Sequence, residues 1–269
     1  MQDLCVESIC QLIDQEKFKI PFNIEIHDEL DSTNSYLKQS KLYDYHAISV
    51  VIARSQNAGR GQRNNKWVSE RNSGLWMSIA LHIEKKNHSS SLSLVVGCIL
   101  AKELHKLGLQ DVRLKWPNDL IYGTNKLGGI LIETESAGSG MLKVIIGIGI
   151  NTDLPRSMTE IRSTGIKPIG LNTITNKPIS MPSLIANFVQ SIYYAIRKYE
   201  AAGFKSFHKE WLNFDILKGR EVVVDMQNDI LLGINDGIDE KGALLVTNGS
   251  GTHHIVNGSI KSFDSKGMK

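Results

Sequence analysis

The chain has 269 residues, of which 41% are hydrophobic and 22% are charged, with 31 Lys and Arg against 28 Asp and Glu. This apolar content and the net charge of +3 exclude global disorder, and the length suggests about two domains. The charge is too small and too dispersed to predict a nucleic-acid partner or an anionic membrane surface.

Targeting and redox features indicate a cytoplasmic protein. No apolar run approaches the roughly 18–20 residues of a membrane span, and the N-terminus lacks the basic start and apolar middle of a secretion signal. Cys5, Cys10 and Cys98 are odd in number and show no Cys-x-x-Cys spacing. We interpret these three cysteines as reduced, mostly buried thiols. From the lack of a long apolar run we also expect no membrane partner.

The first half of the chain alternates helical and strand periodicity. The predicted elements are, in chain order, a helix over residues 3–16 capped by Asp3, a strand over 22–26, a helix capped by residues 31–34, a strand over 47–53, a polar Gly-rich loop over 54–73, a strand over 75–82 and a helix over 92–107 ended by Gly108. A loop of about 20 residues inside a compact domain is usually functional or disordered.

The middle of the chain predicts an antiparallel or mixed sheet, because its strands have hairpin-like spacing. Strands are predicted over residues 112–115, 121–122, 129–133 and 142–150, followed by an irregular stretch over 151–180, a long amphipathic helix that Pro182 opens, and a short helix over 204–214.

After Asp215 the pattern changes to short strands separated by turns, which is typical of a small β-barrel. The predicted strands cover residues 222–224, 230–232, 243–246 and 255–261. We therefore predict an α+β fold of two domains, with a boundary near Leu217 that separates residues 1–217 from residues 218–269.

The first segment that could carry chemistry is residues 56–67, Gln-Asn-Ala-Gly-Arg-Gly-Gln-Arg-Asn-Asn-Lys-Trp. Arg60 lies between two glycines, whose conformational freedom lets backbone amides approach a ligand closely. Its cations, glutamine and tryptophan suit an anion and a planar ring. The alternative interpretation is a solvated surface loop.

The second segment is residues 114–120, Leu-Lys-Trp-Pro-Asn-Asp-Leu. Lys115 ends an otherwise apolar strand, and Trp116 and Pro117 stiffen the turn that follows. A lysine on a rigid strand end suits a fixed charge facing a carboxylate or phosphate. A surface lysine beside an ordinary turn is equally compatible with the sequence.

Two glycine-containing strands complete the set. Residues 126–133 (Lys-Leu-Gly-Gly-Ile-Leu-Ile-Glu) permit close approach by a ligand or by another strand. Residues 147–151 (Gly-Ile-Gly-Ile-Asn) lack the third glycine and the following helix of a dinucleotide fingerprint, so we reject that interpretation. We interpret these glycines as leaving room for a flat ligand, to which Asn151 offers an amide.

Several common chemistries have no signature in the sequence. There is no P-loop and no Gly-x-Ser-x-Gly elbow, and the adjacent His253 and His254 favour a surface pair over a zinc site. What remains is a set of cations and glycines around an apolar sheet. This pattern suits a reaction driven by positioning and charge neutralisation, such as activation of a carboxylate by ATP.

Five motifs in order resemble the biotin protein ligase family: the Ser-Thr-Asn helix start, the Gly-Arg-Gly loop ending in Lys-Trp, Lys-Trp-Pro-Asn-Asp, Lys-Leu-Gly-Gly-Ile-Leu and Gly-Ile-Gly-Ile-Asn. The resemblance implies a class II synthetase-like fold with an SH3-like C-terminal barrel. It implies that biotin and Mg-ATP form biotinyl-5′-adenylate, and that biotin then passes to a lysine of the biotin carboxyl carrier protein of acetyl-CoA carboxylase.

The resemblance also implies roles for individual residues. Lys115 and Arg60 are the expected catalytic residues. The expected biotin-binding residues are Ser32, Thr33, Asn34, Gln56, Arg60, Gly61, Gln62 and Lys115. The expected ATP or adenylate residues are Trp67, Asn118, Asp119, Lys126, Gly128 and Asn151. The magnesium ion is expected on the ATP phosphates, with its protein ligands unknown.

The loop departs from the family pattern at two places. Gln62 stands where the family usually has a second arginine, and Asn65 stands at a later basic position. The family likeness suggests that this arginine helps to retain the adenylate. We therefore expect residues near 59–66 to be mobile without ligand, and we expect adenylate to leak more readily unless Arg63 or Lys66 substitutes.

Three alternatives stay open at this point. One is a non-catalytic binding module based on the small barrel, which the presence of Lys115 and Arg60 disfavours. A lipoate or octanoate ligase or transferase shares the implied fold, but it is not expected to combine Lys-Trp-Pro-Asn-Asp with the Gly-Arg-Gly loop. A biotin-responsive repressor is the alternative from another class. Only 29 residues precede Leu30, which we take as too few for a winged helix. Oligomeric state is open, with a homodimer possible.

Overall fold

The computed structural model describes residues 4–40, 47–84, 91–154, 166–175, 177–226 and 229–263. The helices are α1 (Val6–Cys10), α2 (Thr33–Gln39), α3 (Leu92–Lys106), α4 (Leu171–Ile174), α5 (Met181–Ala202) and α6 (Lys205–Phe214). The first seven strands are β1 (Phe22–His27), β2 (Ile48–Ala53), β3 (Gly74–Glu84), β4 (Val112–Lys115), β5 (Asp119–Tyr122), β6 (Asn125–Gly138) and β7 (Met141–Asn151). The last five are β8 (Glu221–Asp225), β9 (Ile230–Ile238), β10 (Leu244–Asn248), β11 (Gly251–Ile255) and β12 (Ser259–Phe263).

Seven strands form one central sheet in the order β1-β2-β3-β7-β6-β5-β4. The pair β1–β2 is parallel and the remaining pairs are antiparallel. This confirms the predicted mixed sheet, including its hairpin-spaced middle strands. The longest pairings join β7 to β3 and to β6, so these three strands form the rigid centre of the sheet.

The two faces of the sheet are covered differently. Alternate residues of the central strands, such as Ile146 and Ile148, belong to a large core that also contains residues of α3 and α5. On the opposite face, α2 packs through Leu37 onto Val51, Ala80 and Ile145, which form a separate small cluster. The α2 face therefore offers sheet surface that no long helix covers among the described residues.

The C-terminal strands form a second, antiparallel sheet in the order β11-β10-β9-β8-β12. The run of short strands predicted after Asp215 is confirmed, with one correction. Residues 255–261 were predicted as one strand, but β11 ends at Ile255 and β12 begins at Ser259. The break is needed because β11 pairs with β10, whereas β12 pairs with β8 on the far side of the sheet.

Other local predictions need correction. The helix predicted over residues 3–16 is limited to Val6–Cys10, because Asp14 starts a new turn by accepting the backbone N–H of Lys17 and of Phe18. The proposed cap Asp3 lies outside the described residues. Of the three cysteines only Cys98 is buried. The short α4 inside the irregular stretch was not predicted.

The segment between α6 and β8 contains the predicted boundary near Leu217, which stays a prediction. Asp215 lies there and is half-buried, and desolvation raises the pKa of its carboxyl to about 6 despite hydrogen bonds from Leu217 N and Asn235 Nδ2. None of the described helices combines the length and apolarity of a membrane span.

Candidate active site

The cross-strand register places two rows of residues on the α2 face of the central sheet. One row consists of Ser78, Gly147 and Leu131 on β3, β7 and β6. The second row lies two residues further along the strands, about 7 Å away. It runs across five strands through Trp76, Gly149, Gly129, Asp119 and Lys115. We call these the neutral row and the lysine row.

Helix α2 begins directly at the neutral row. Ser32 is its N-cap, and its hydroxyl accepts the backbone N–H of Ser35 at 3.4 Å, as the capping pattern predicts. Gln56 Oε1 accepts from the backbone N–H of Thr33 at 2.9 Å and from its hydroxyl at 3.2 Å. Gln56 Nε2 donates to Ser69 Oγ at 2.8 Å, so the amide orientation of Gln56 is fixed from both ends.

Asn34 lies across the neutral row and is 3% exposed. Its Oδ1 accepts from Ser78 Oγ at 2.6 Å, and Ser78 Oγ is also 2.7 Å from Thr33 Oγ1. A Cβ on Gly147 would overlap Asn34 Oδ1, so only glycine at this position lets the amide sit against the sheet. Asn34 thus helps to fix the shape of the site through contacts within the protein.

Glu133, on β6, links this network to the Gly-Arg-Gly loop. Its Oε2 accepts from Asn34 Nδ2 at 2.8 Å and from Arg60 at 2.8 Å, while its Oε1 accepts from Arg60 at 3.1 Å. The guanidinium of Arg60 also donates to Ser35 Oγ at 3.1 Å. A bidentate arginine–carboxylate pair is among the stronger hydrogen-bonded contacts, so it sets the position of the loop over α2.

The loop that carries Arg60 is a small hairpin. Gly61 N donates to Asn65 O at 2.7 Å, and Trp67 N donates to Gly59 O at 2.9 Å. Its tip is a single 3-10 turn over residues 62–64, in which Arg63 has a left-handed backbone with φ 55°. Gln62 is half-buried in that turn. Arg60, Asn65 and Lys66 in this hairpin are exposed, so the alternative of a solvated surface loop is not overturned by the structure.

Trp67 brings the end of this hairpin onto the lysine row. Its indole lies against Gly149 and Gly129, where a Cβ would come within 2.7 Å and 3.1 Å of the ring respectively. It also meets Trp76 edge to face, with ring centroids 6.3 Å apart. The glycines predicted to leave room for a flat ligand thus admit the flat side chain of Trp67.

Lys115 and Lys126 enclose a single carboxylate. Lys115 Nζ is 3.0 Å from Asp119 Oδ2, and Lys126 Nζ is 2.6 Å from Asp119 Oδ1. Lys115 is 6% exposed, so the surface-lysine alternative is wrong. Burial raises the pKa of the Asp119 carboxyl, but Lys126 and Lys115 outweigh that effect and hold the pKa at about 2. With one carboxylate for two ammonium groups, the cluster suits an added anion.

The remaining predicted nucleotide-side residues surround this cluster. Lys126 Nζ also lies 5.2 Å from the centroid of the Trp67 ring. Asn118 Nδ2 donates to Ile130 O at 2.7 Å, which fixes the turn after Lys115. At Gly128 a Cβ would be 2.6 Å from Gly149 O, so this glycine serves close strand packing. The Trp116–Pro117 peptide in the turn is cis.

Three buried polar atoms at this end have no hydrogen-bond partner within the described part of the chain. They are two donors, Trp67 Nε1 and Trp76 Nε1, and one acceptor, Asn151 Oδ1. Asn151 Nδ2 is engaged with Lys126 O and Ile169 O, both at 3.3 Å, so its amide orientation is set. A buried polar atom without a partner is costly, and such atoms are candidates for ligand contacts.

No set of three or more Asp, Glu, His or Cys side chains that could hold a metal occurs among the described residues. Both oxygens of Asp119 are engaged with lysines. Magnesium is commonly bound by one or two carboxylates together with substrate phosphates, so the residues of this site fit a magnesium ion that arrives bound to a nucleotide. His253 and His254 lie apart from the site on β11, where His254 Nδ1 is 3.1 Å from Asp239 Oδ2.

The structure brings the predicted site residues together on one face, with two distinctions. Most of the residues that are expected to bind biotin or ATP contact one another, directly or through a shared partner. Asn118 and Gly128 are engaged with backbone groups and act locally. Ser78 and Ser69 belong to no motif and were not predicted, and Glu133 was assigned no role although it ends the segment 126–133. The bonds of Ser78 to Thr33 and of Arg60 to Glu133 join residues 45 and 73 positions apart, which local patterns do not report.

Comparisons with known proteins agree with this arrangement. The biotin/lipoate A/B protein ligase family model matches residues 27–151, and the biotin protein ligase C-terminal domain matches residues 218–262. The bifunctional ligase/repressor BirA of Escherichia coli is 33% identical over 221 residues, which cover 81% of this chain and 67% of that protein.

Two further matches are informative. The biotin–[acetyl-CoA-carboxylase] ligase of Paracoccus denitrificans is 25% identical over 207 residues, which cover 76% of this chain and 86% of that protein. The solved structure of a biotin protein ligase from Aquifex aeolicus in complex with biotin and ATP has a TM-score of 0.75 and 27% identity. That match covers 90% of this chain and 98% of the other.

Proposed function

Because the chain belongs to the biotin protein ligase family, we propose that it activates biotin with ATP and transfers the biotinyl group to a lysine of the biotin carboxyl carrier protein of acetyl-CoA carboxylase. The observation that carries the proposal is the pair of rows on the α2 face. An uncharged hydrogen-bonding end over β3 and β7 shares this face with a buried two-lysine end over β6, β5 and β4, in a row two residues further along the strands. This arrangement suits a neutral ureido ring that is linked to a carboxylate.

Biotin is placed with its ureido ring at the neutral row. Ser32, Thr33 and Gln56 provide hydroxyl and amide groups there. Bonds to Ser78 and Ser69 fix Thr33 and Gln56, and the bond from Ser35 N fixes the hydroxyl of Ser32. Uncharged donors and acceptors suit a neutral ring, because an ionic group would have to be desolvated without a charged partner. Gly61 and Gln62, in the loop above, cover the ring side of the ligand.

In the first reaction step, a carboxylate oxygen of biotin forms a bond to the α-phosphorus of ATP. The bond from that phosphorus to the bridging oxygen breaks, and pyrophosphate leaves. Lys115 donates hydrogen bonds to the carboxylate and to the oxygens on which charge accumulates. Because Lys115 is buried on a strand end, its ammonium group is held in place before the substrates arrive.

The nucleotide is placed at the end of the lysine row. Among the described residues, the donors Trp67 Nε1 and Trp76 Nε1 and the acceptor Asn151 Oδ1 lack partners there, and such a mixed set suits the hydrogen-bonding edge of a purine. Lys126 supplies a second positive charge for the phosphates. A magnesium ion carried on the phosphates supplies further charge neutralisation.

In the second step, the neutral amine of the carrier lysine forms a bond to the acyl carbon of the adenylate, the acyl–phosphate bond breaks, and AMP leaves. The amine proton goes to solvent or to a leaving-group oxygen. The adenylate is a mixed anhydride that water hydrolyses. A loop held over it by Arg60 and Glu133 excludes water until the carrier docks.

We further propose residues 1–217 as the catalytic unit and residues 218–269 as the C-terminal unit, in a cytoplasmic enzyme that does not bind DNA. The acetyl-CoA carboxylase carrier is supported by the name of the Paracoccus relative.

Biotin-dependent exchange of labelled pyrophosphate into ATP tests the first step. We expect exchange with biotin at micromolar concentration and none with lipoate or octanoate, because the neutral row offers polar groups where an acyl chain requires an apolar tunnel. Exchange supported equally by octanoate would favour the lipoate ligase alternative, and the absence of exchange with any of these acids would contradict adenylation.

A further inference from the structure

The tip of the loop reaches the C-terminal sheet through one side chain. Arg63 NH1 donates to Ser259 Oγ at 2.8 Å, and Arg63 NH2 donates to Asp225 O at 3.3 Å. The Asp225 carboxylate lies 3.8 Å from the same guanidinium, and both side chains are 26% exposed. Ser259 and Asp225 are direct neighbours on β12 and β8, so one guanidinium spans two strands.

We propose that Arg63 is a positioning residue that fastens the loop tip to the C-terminal sheet, so that retention of the adenylate depends on that sheet. This inference rests on the proposed function. Arg63 itself contacts no group of the candidate site among the described residues. Its guanidinium is committed to the C-terminal sheet and does not replace the charge that is missing at Gln62.

The backbone of the tip supports this role. Arg63 has φ 55° and ψ 39°, a left-handed conformation that residues with a Cβ rarely adopt unless their surroundings hold them there. The neighbouring bond from Asn65 N to Gln62 O closes the turn at 3.1 Å but does not reach another element. The contacts of Arg63 with β8 and β12 therefore hold the tip in place.

The loop is thus attached at three separate points. Trp67 packs at its base on Gly149, Arg60 holds its side to Glu133, and Arg63 holds its tip to the C-terminal sheet. Only the first two involve the central sheet. Loss of the third should free the tip while the contacts that surround the substrates remain, so escape of the adenylate should change more than its formation.

The Arg63→Gln variant tests the proposal through two rates measured on the full chain. In a single turnover with biotin and ATP, we expect pyrophosphate release to stay within about twofold of wild type. Release of adenylate into solution in the absence of carrier should rise about 10-fold, the effect of losing a charge-assisted hydrogen bond. Arg63→Lys should restore part of the retention, because one ammonium group can still reach Asp225 or Ser259.

Two further variants separate this role from general stability. Ser259→Ala should raise adenylate release in the same direction, and the double variant should be no worse than Arg63→Gln alone. Lys261→Gln is the matched control, since Lys261 pairs with the same Asp225 carboxylate at 3.1 Å. It should leave adenylate release unchanged. Additive effects, or an equal effect of Lys261→Gln, would overturn the proposal.

A readout without substrates keeps this test independent of the proposed function. Hydrogen exchange of the Gly61 and Trp67 amides, which close the hairpin, should quicken in Arg63→Gln and Ser259→Ala and not in Lys261→Gln. Failure of wild-type protein to form adenylate would contradict the proposed function alone. Unchanged exchange in Arg63→Gln would contradict the role of Arg63 alone.

Discussion

Glu133 accepts two hydrogen bonds from the guanidinium of Arg60, at 3.1 and 2.8 Å, although the two residues are 73 positions apart in the chain. The same carboxylate accepts from Asn34, so the loop and the start of α2 share one anionic partner. The position of Arg60 over the site is therefore determined by a residue of the central sheet.

Glu133→Gln should weaken this link, because a neutral amide cannot accept a bidentate pair from arginine. We expect biotin affinity to fall about 10-fold, measured by calorimetry. Glu135→Gln is the matched control on the same strand, since the Glu135 carboxylate lies 3.9 Å from Lys38 and interacts with Lys143, neither of which was predicted to bind a substrate. Equal affinities for the wild type and Glu133→Gln would contradict the role of Glu133.

Lys115→Ala should slow adenylation on the order of 10²-fold or more, through loss of charge stabilisation at the reacting oxygens. Pyrophosphate release in a single turnover measures this step. Lys106→Ala, a change at a lysine with 66% of its side chain exposed, is the control and should behave as wild type. Near-normal pyrophosphate release by Lys115→Ala would refute the catalytic assignment.

Gln62→Arg should restore a charge that the family loop usually carries. We expect adenylate to leave the variant about 10-fold more slowly or slower still, because a charge-assisted hydrogen bond is worth roughly 1.5–3 kcal/mol. Release of labelled adenylate through a desalting column or filter measures the rate. If the rate of escape does not slow, Gln62 is not a cause of adenylate loss.

Gly149→Ala should displace Trp67, since a Cβ there would lie 2.7 Å from the indole. We expect KM for ATP to rise about 10-fold or more with a smaller effect on biotin affinity, because Trp67 belongs to the nucleotide end. Gly249→Ala is the control, as a Cβ at Gly249 meets no atom within 4 Å. An equal effect on both substrates would argue against this division of the site.

Asp215 predicts a pH dependence of stability. Burial raises the pKa of its carboxyl from 3.8 to about 6. Because the pKa of Asp215 is higher in the folded state than in the unfolded state, the protonated carboxyl favours folding. Its contribution to the free energy of unfolding is fully present below about pH 4 and is lost as the pH rises through about 6. Asp215→Asn should lack this loss, which is at most about 2–3 kcal/mol. Urea unfolding at about pH 4 and pH 7 compares the two proteins, and an identical pH dependence would contradict the assignment.

Local patterns explain which parts of the fold could be predicted. The Ser32 cap and the long helix opened by Pro182 follow from short-range chemistry, and both are observed. The strand predicted over residues 255–261 was wrong because periodicity does not report which neighbour a strand pairs with. The strand ends after Ile255 because β11 pairs with β10, whereas the next strand, β12, pairs with β8.

The site shows the same division. Motifs identified Lys115 and Arg60, but the partners that hold them are set by sheet register and loop packing. Ser78 reaches Asn34 only because β3 and β7 align Ser78 with Gly147. The link between Arg63 and Ser259 joins residues 196 positions apart. No local pattern in the sequence encodes such a contact.

The most direct test is transfer of labelled biotin to a purified carrier domain of acetyl-CoA carboxylase by this protein in the presence of magnesium and ATP. We expect one biotinyl group per carrier on a single lysine, dependent on ATP and lost when that lysine is replaced by arginine. Absence of labelled carrier under conditions in which the E. coli relative labels the same domain would contradict the proposed function.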